Sequence, residues 1–412
     1  MTQEMIISAA QDMESSALAT QAAVLDDIEA AKSLIVSEGA RLCAAAAGHG
    51  ARAIVLTGSM SRGEATLKRH GAGWRVLGDA TFMVVFDGPV RLHVADLERE
   101  IERSLLTRGI TCKIVVVASA TAHLRKMKPH IYAYELRERG IVVWGDQDTL
   151  RLIHPFTAAE IPQEDGWWFL CNRIIEQLEA AAEENSLYDN GTAVRYRIAK
   201  LYLAMAACYL LAIGQYAPSY RERALRLQEL AASDDPQAAP IPLQRFSKFV
   251  SYCTDLKLQG EEFGAAADGP QWRDAVSDAE ALWRWTLARI LDVSPTLSRR
   301  DLLTAMAERQ SIFARAKGWV RAAYVLPTAF KRHWRRWARL ACSTSARYSV
   351  YGAASELFFA APGPDAITVH DLAEIAARLP LPGPIANEQP SWSRVAKLVA
   401  HNFHLLLEST RS

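Results

Sequence analysis

The stretch Ala53–Phe86 constrains this chain more than any other part of it. It reads Ala-Ile-Val-Leu-Thr-Gly-Ser-Met-Ser-Arg-Gly-Glu, then a polar segment, then Gly-Asp-Ala-Thr-Phe-Met-Val-Val-Phe. Ala53–Thr57 is a short apolar run rich in β-branched residues that stops at Gly58-Ser59, the pattern of a buried strand ending in a tight turn. Ser61, Arg62, Gly63 and Glu64 then open a short helix, with Glu64 expected as an exposed first-turn residue. The first backbone N–H groups of such a helix lack intrahelical partners and form a natural anion site. Thr81–Phe86 reads as a second buried strand, and Asp79 stands at its entrance, where a carboxylate is well placed for a metal ion.

The surrounding segments alternate. Val94–Thr107 is an amphipathic helix closed by Gly109, Ile110–Val117 is a strand, and Ile141–Trp144 is a last strand, so residues 50–160 form an α/β domain. Before it, residues 1–49 form an N-terminal helical segment, with apolar positions at Val24, Ile28, Ala31 and Ile35. After it the chain is nearly all helix, divided into a helical domain over residues 161–235 and a C-terminal helical region over 236–412. The division rests on the proline-rich stretch Asp234–Pro242. Further loops are expected around Ala361–Pro364 and Pro380–Pro390, and Arg299–Lys317 reads as one helix. Leu201–Ile213 is apolar on nearly all sides, which places it at the centre of a bundle; it is too short to span a bilayer.

Gly58-Ser59, Asp79 and the strands around them resemble the nucleotidyltransferase (polymerase β-like) superfamily. Its signature is a strand, Gly-Ser, then a second strand carrying two carboxylates. The run Leu124-Arg125-Lys126-Met127-Lys128-Pro129-His130-Ile131, with Val143-Trp144-Gly145-Asp146 and Asn172-Arg173-x-x-Glu176-Gln177-Leu178, is similar to uncharacterised bacterial proteins with such a domain. This second resemblance extends over most of the chain. The fold it implies is α+β/α: a nucleotidyltransferase-like mixed α/β sheet domain followed by a mostly α-helical bundle. The implied reaction moves a nucleotidyl group from a nucleoside triphosphate to an acceptor, with Mg²⁺. Gly58, Ser59, Ser61, Arg62 and Gly63 would hold the nucleotide, and Asp79 would serve as catalytic carboxylate and metal ligand.

The chain departs from that pattern in three places. Thr81 stands where the second carboxylate belongs. The strand 110–117 offers Lys113 but no acid. Twenty positions separate Ser59 from Asp79, more than the family's usual spacing, and the residues around Lys68–Arg75 read as an inserted hairpin or loop. Metal-assisted transfer needs several oxygen ligands. The alternative reading is therefore a catalytically degenerate module that binds nucleotide or a protein partner.

Other classes find little support. The sequence carries no Walker A loop, no G-x-S-x-G elbow and no G-x-G-x-x-G fingerprint. His401 and His404 are three apart on a helix, with no further ligand at zinc spacing. A net charge of +1 gives no global attraction to nucleic acid or membrane, so any such affinity must be local. The local candidate is Phe330–Arg339. On a helix its Arg332, Arg335, Arg336 and Arg339 share one face, a possible polyanion contact, over an aromatic stripe of Phe330, Trp334 and Trp337. The six scattered cysteines and the acidic N-terminus without a basic leader lead us to expect free thiols and a cytoplasmic protein.

Overall fold

The computed structural model describes residues 27–183, 192–233, 239–259, 269–360, 367–383 and 390–408. Its contacts divide the chain into two compact units. One runs through Thr157 and takes in Leu258–Gly260; the other contains the rest. Parts of three expected segments lie outside the described residues: 15–26 of the first helix, 234–238 of the proline-rich stretch and 384–389 of the Pro380–Pro390 loop. The Ala361–Pro364 loop lies wholly outside them.

In the first unit, helix α1 covers residues 27–47. Strand β1 (Ala51–Thr57) runs into a single helical turn, α2 (Gly58–Ser61). Strands β2 (Leu67–His70) and β3 (Gly73–Phe86) follow, then α3 (Val94–Leu106), β4 (Ile110–Ala120), α4 (Thr121–Leu124), α5 (Ile131–Arg139) and β5 (Ile141–Gly145). The segment expected as an insertion is a hairpin, β2 turning into β3 with His70 opposite Gly73.

The sheet is mixed. β3 pairs antiparallel with β1 and β2 and parallel with β4, and β5 pairs antiparallel with β1. Phe82 faces Leu56 of β1 on one side and Val116 of β4 on the other, while Trp74 lies between Arg69 of β2 and Ile110 of β4. β1 and β2 therefore share one side of β3, end to end, and β4 holds the other.

Strand alternation sorts the core into two layers. Trp74, Val76, Ala80, Phe82, Val84 and Phe86 of β3 pack with Ile35, Leu42 and Cys43 of α1 and Leu97, Ile101 and Leu105 of α3. Met83 and Val85 point to the opposite face and, with Val55, pack on Leu124, Ala133, Leu136 and Ile153. β4 is an edge, and α3 covers it chemically. Glu102 accepts from the Ile114 N–H at 3.0 Å and Glu98 from the Val116 N–H at 2.8 Å. Those N–H groups are thus denied to a foreign strand.

The second unit is helical: α6 (Gln163–Glu183), α7 (Thr192–Ala212), α8 (Tyr220–Ala232), α9 (Leu243–Gln259), α10 (Trp272–Leu291), α11 (Arg299–Arg309), α12 (Ile312–Val325), α13 (Pro327–Ser343), α14 (Ala346–Phe359), α15 (Val369–Arg378) and α16 (Trp392–Phe403). α7 is the bundle's central helix, with every residue from Leu201 to Ala212 buried, as an all-round apolar helix requires. Its Tyr202 hydroxyl donates to the buried Asp278 of α10 at 2.7 Å. One hydrophobic core runs from Trp167 to Leu406, so helices on both sides of residue 235 share it.

The single helix expected over Arg299–Lys317 is two. Gln310 takes an extended conformation after Arg309, and the Ser311 side chain accepts from the Ala314 N–H, starting a new helix. A serine cap outweighs the helical periodicity that runs through it. Among the described residues no helix is long and apolar enough to cross a membrane. Cys43, Cys112, Cys171, Cys208 and Cys253 are buried free thiols, and Cys342 is exposed.

Candidate functional site

β1 delivers Gly58 and Ser59 to the edge of β3. Thr57 is the last paired residue and faces Thr81. The turn thus leaves the sheet beside Thr81, two residues along β3 from Asp79. Gly58 has φ +77°, a left-handed conformation that glycine adopts without steric cost. A Cβ at Gly58 would lie 3.8 Å from the Thr81 Oγ1, an ordinary contact distance, so the turn passes close to that hydroxyl.

The turn then closes on itself. The Ser61 hydroxyl donates to the Gly58 carbonyl at 3.0 Å, and the Glu64 N–H donates to the Ser59 carbonyl at 2.8 Å. Gly63 is also left-handed, with φ +70°. Ser59 is half-buried beside Gly58.

The structure assigns different tasks to the residues expected to hold nucleotide. Gly58 and Gly63 shape the loop. Ser61 spends its hydroxyl on the turn. Arg62 is largely buried, donating to Glu64 at 3.1 Å and to Glu135 of α5 at 3.0 Å, so it anchors the loop to the sheet's helical layer. Glu64, expected on the surface, is buried as Arg62's partner. Sequence gave no sign of this, because Glu135 lies 73 residues from Arg62.

Asp79 is exposed on β3, on the face that carries Thr81. The β3–β4 register is irregular between Arg75 and Asp79, where Gly78 has φ +148°. Bulges of this kind re-aim the side chain that follows. Directly opposite Asp79 in β4 is Lys113, and opposite Thr81 is Val115. The strand that could have brought a further carboxylate brings an ammonium instead. Two further acids of this unit meet at the far end of β1, where Arg52 donates to Asp146 at 2.9 and 2.5 Å and to Asp87 at 3.0 Å. The Asp148 backbone N–H and Arg52 hold the Asp146 carboxyl below its ordinary range.

Among the described residues no group of three or more His, Cys, Asp or Glu side chains comes together to hold a metal ion. Asp79, with the Thr81 hydroxyl, suits one hydrated Mg²⁺ that arrives with phosphate oxygens as its other ligands. It does not suit two ions. His404 contacts Glu179 at 2.9 Å.

The basic face expected on α13 is not continuous. The helix kinks at His333 (φ −122°, ψ 16°). Arg336 turns inward and donates to the carbonyls of Leu379, Ala376 and Ala377 at 2.7, 2.8 and 3.0 Å, closing the C-terminus of α15. Arg332, Arg335 and Arg339 remain exposed. Trp337 is the buried aromatic, whereas Trp334 is half exposed with Arg335 over its ring at 5.4 Å.

Comparison of the chain with family models, curated proteins and solved structures returns no match.

Proposed function

We propose that the first unit binds the phosphates of a nucleoside triphosphate at the Gly58–Gly63 turn. The observation that carries the reading is the left-handed Gly58 turn, which leaves the sheet where Thr57 pairs with Thr81, two residues along β3 from Asp79. Backbone N–H groups of a tight turn that visits the left-handed region can form an anion-binding concavity. The Ser59 hydroxyl adds a donor, and the Lys113 ammonium lies across the strand pair from Asp79. Asp79 and Thr81 would hold the one Mg²⁺ that accompanies the nucleotide, and that ion would neutralise phosphate charge.

Nucleotidyl transfer to an acceptor, which the family resemblance implies, is the second reading, favoured by the exposed carboxylate of Asp79. Thr81 and Lys113 weigh against it. A two-ion mechanism needs acids on both strands to hold the ions that activate acceptor and leaving oxygens. We therefore place binding before catalysis.

Titration calorimetry with each nucleoside triphosphate, with and without Mg²⁺, tests the proposal. Ser59→Ala should weaken binding about tenfold or more, the worth of a hydrogen bond to a charged group. Asp79→Asn should remove the Mg²⁺ dependence, and Thr81→Asp should strengthen it. Failure of all four nucleotides to bind the wild-type chain overturns the proposal, as does affinity indifferent to Ser59 and Asp79. Robust transfer of labelled nucleotide by the wild type, lost in Asp79→Asn, would establish the second reading instead.

A further inference from the structure

A charge asymmetry in the second unit is independent of this site. From Arg309 to Ser355 the chain has no aspartate or glutamate, yet it carries Arg309, Arg315, Lys317, Arg321, Lys331, Arg332, Arg335, Arg336, Arg339 and Arg347. The whole chain has a net charge of only +1. This run builds α12 and α13, joined by Leu326 alone. They form an antiparallel hairpin. Trp319 packs tilted against Trp337 with ring centroids 5.5 Å apart, and Arg315 donates to the Cys342 carbonyl at 2.8 Å.

α12 has two opposite stripes. Arg315, Trp319, Ala322 and Leu326 face the bundle. Phe313, Lys317, Val320 and Tyr324 follow the same helical spacing two residues earlier, on the reverse side. Ile312, Phe313, Val320 and Tyr324 are 78%, 81%, 69% and 87% exposed. Phe330 and Trp334 of α13 are 41% and 52% exposed. Side chains this apolar and this accessible mark a surface that meets an apolar phase or partner. Lys317, Arg321, Lys331, Arg332, Arg335 and Arg339 lie exposed among them.

We propose that the α12–α13 hairpin is an interfacial surface for an anionic lipid bilayer. Aromatic and aliphatic side chains would enter the headgroup and acyl boundary, while lysines and arginines stay with the lipid charges. Two observations choose this occupant. A nucleic acid would accept the arginines and stack on Phe313, Tyr324 and Trp334, but it offers nothing apolar to Ile312 and Val320. A second copy of the chain would set the same acid-free cationic run against itself.

Flotation of the full chain with vesicles tests the proposal, using phosphatidylcholine alone or mixed with phosphatidylserine, at low and high salt. The wild type should float with the mixed vesicles and not with phosphatidylcholine, and salt should weaken the binding. Lys331→Gln/Arg332→Gln/Arg335→Gln should lower partitioning about a hundredfold, from about fivefold per basic residue. Phe313→Ser/Val320→Ser/Tyr324→Ser should also lose binding, with the circular dichroism of both variants unchanged. Absence of flotation, or equal flotation on the two lipid mixtures, overturns the proposal. It is also overturned if the serine variant floats like wild type while the glutamine variant loses both vesicles and a single-stranded oligonucleotide, the behaviour of a polyanion surface. A dimer in solution that the serine variant dissociates, without vesicle binding, would assign the face to a second copy.

Discussion

Gly39→Ala is an informative single change, because two well-known effects oppose each other there. Gly39 lies in the middle of α1, where alanine is worth about 1 kcal/mol more than glycine in helix propensity. The tertiary structure reverses that gain. A Cβ built on Gly39 falls onto the ring of Phe82, whose nearest three ring carbons would all be closer than 3.0 Å. The ring is fully buried, and its backbone is locked between β1 and β4, so it has nowhere to go. Either the ring leaves its rotamer within a filled core, or α1 lifts from the sheet. Overpacking of this kind costs about 1–3 kcal/mol, and more where nothing yields. The net expectation is a loss of about 2 kcal/mol in the first unit. Phe82→Leu should be destabilising alone, yet the double variant should lose less than the sum, with a favourable coupling of about 1 kcal/mol or more. Amide exchange of β1 and β3 peptides in urea is the suitable assay, because it reads this unit apart from the helical one. Greater protection in Gly39→Ala, as propensity alone demands, would refute the reasoning. So would a double variant that is merely additive.

Two further perturbations test other joints of the fold. Glu38 of α1 accepts hydrogen bonds from the Arg41 Nε and Nη2 and from the Ser104 hydroxyl, and these bonds hold its carboxyl down at about 2, against an ordinary 4.5. A lowered folded-state value stabilises above the unfolded value. The first unit should therefore lose about 1 kcal/mol as pH falls from 4.5 towards 2, the exposed Arg41 being screened by solvent, a slope that Glu38→Gln flattens in acid-unfolding curves. An unchanged slope would contradict it. In the second unit, the buried Asn402 accepts from the Leu381 N–H at 2.7 Å and donates to the carbonyls of Leu381 and Leu398 at 3.0 and 2.8 Å. Asn402→Ala orphans buried backbone groups and should cost about 2–4 kcal/mol in denaturant unfolding; a loss below about 1 kcal/mol would mean that water replaces the amide.

Local chemistry alone determined much of this protein. The β-branched run ending at Gly58, the alternation of strands and helices, and the all-apolar α7 follow from periodicities of two and 3.6, which are properties of the backbone itself. The start of α8 at Ser219, a capping box with Glu222, is equally local. Asp79 and Thr81 share a face because residues two apart on a strand must. Tertiary structure decided everything that depends on distant partners. Arg62 became an anchor because Glu135 arrives from α5. Glu64 is buried because that arginine neutralises it. Lys113 stands opposite Asp79 because a bulge sets the β3–β4 register. Arg336 turned inward because α15 ends beside it with carbonyls that lack helical partners. A charged side chain's role is fixed by what the fold brings within a few ångströms of it, and no periodicity along the chain encodes that neighbour.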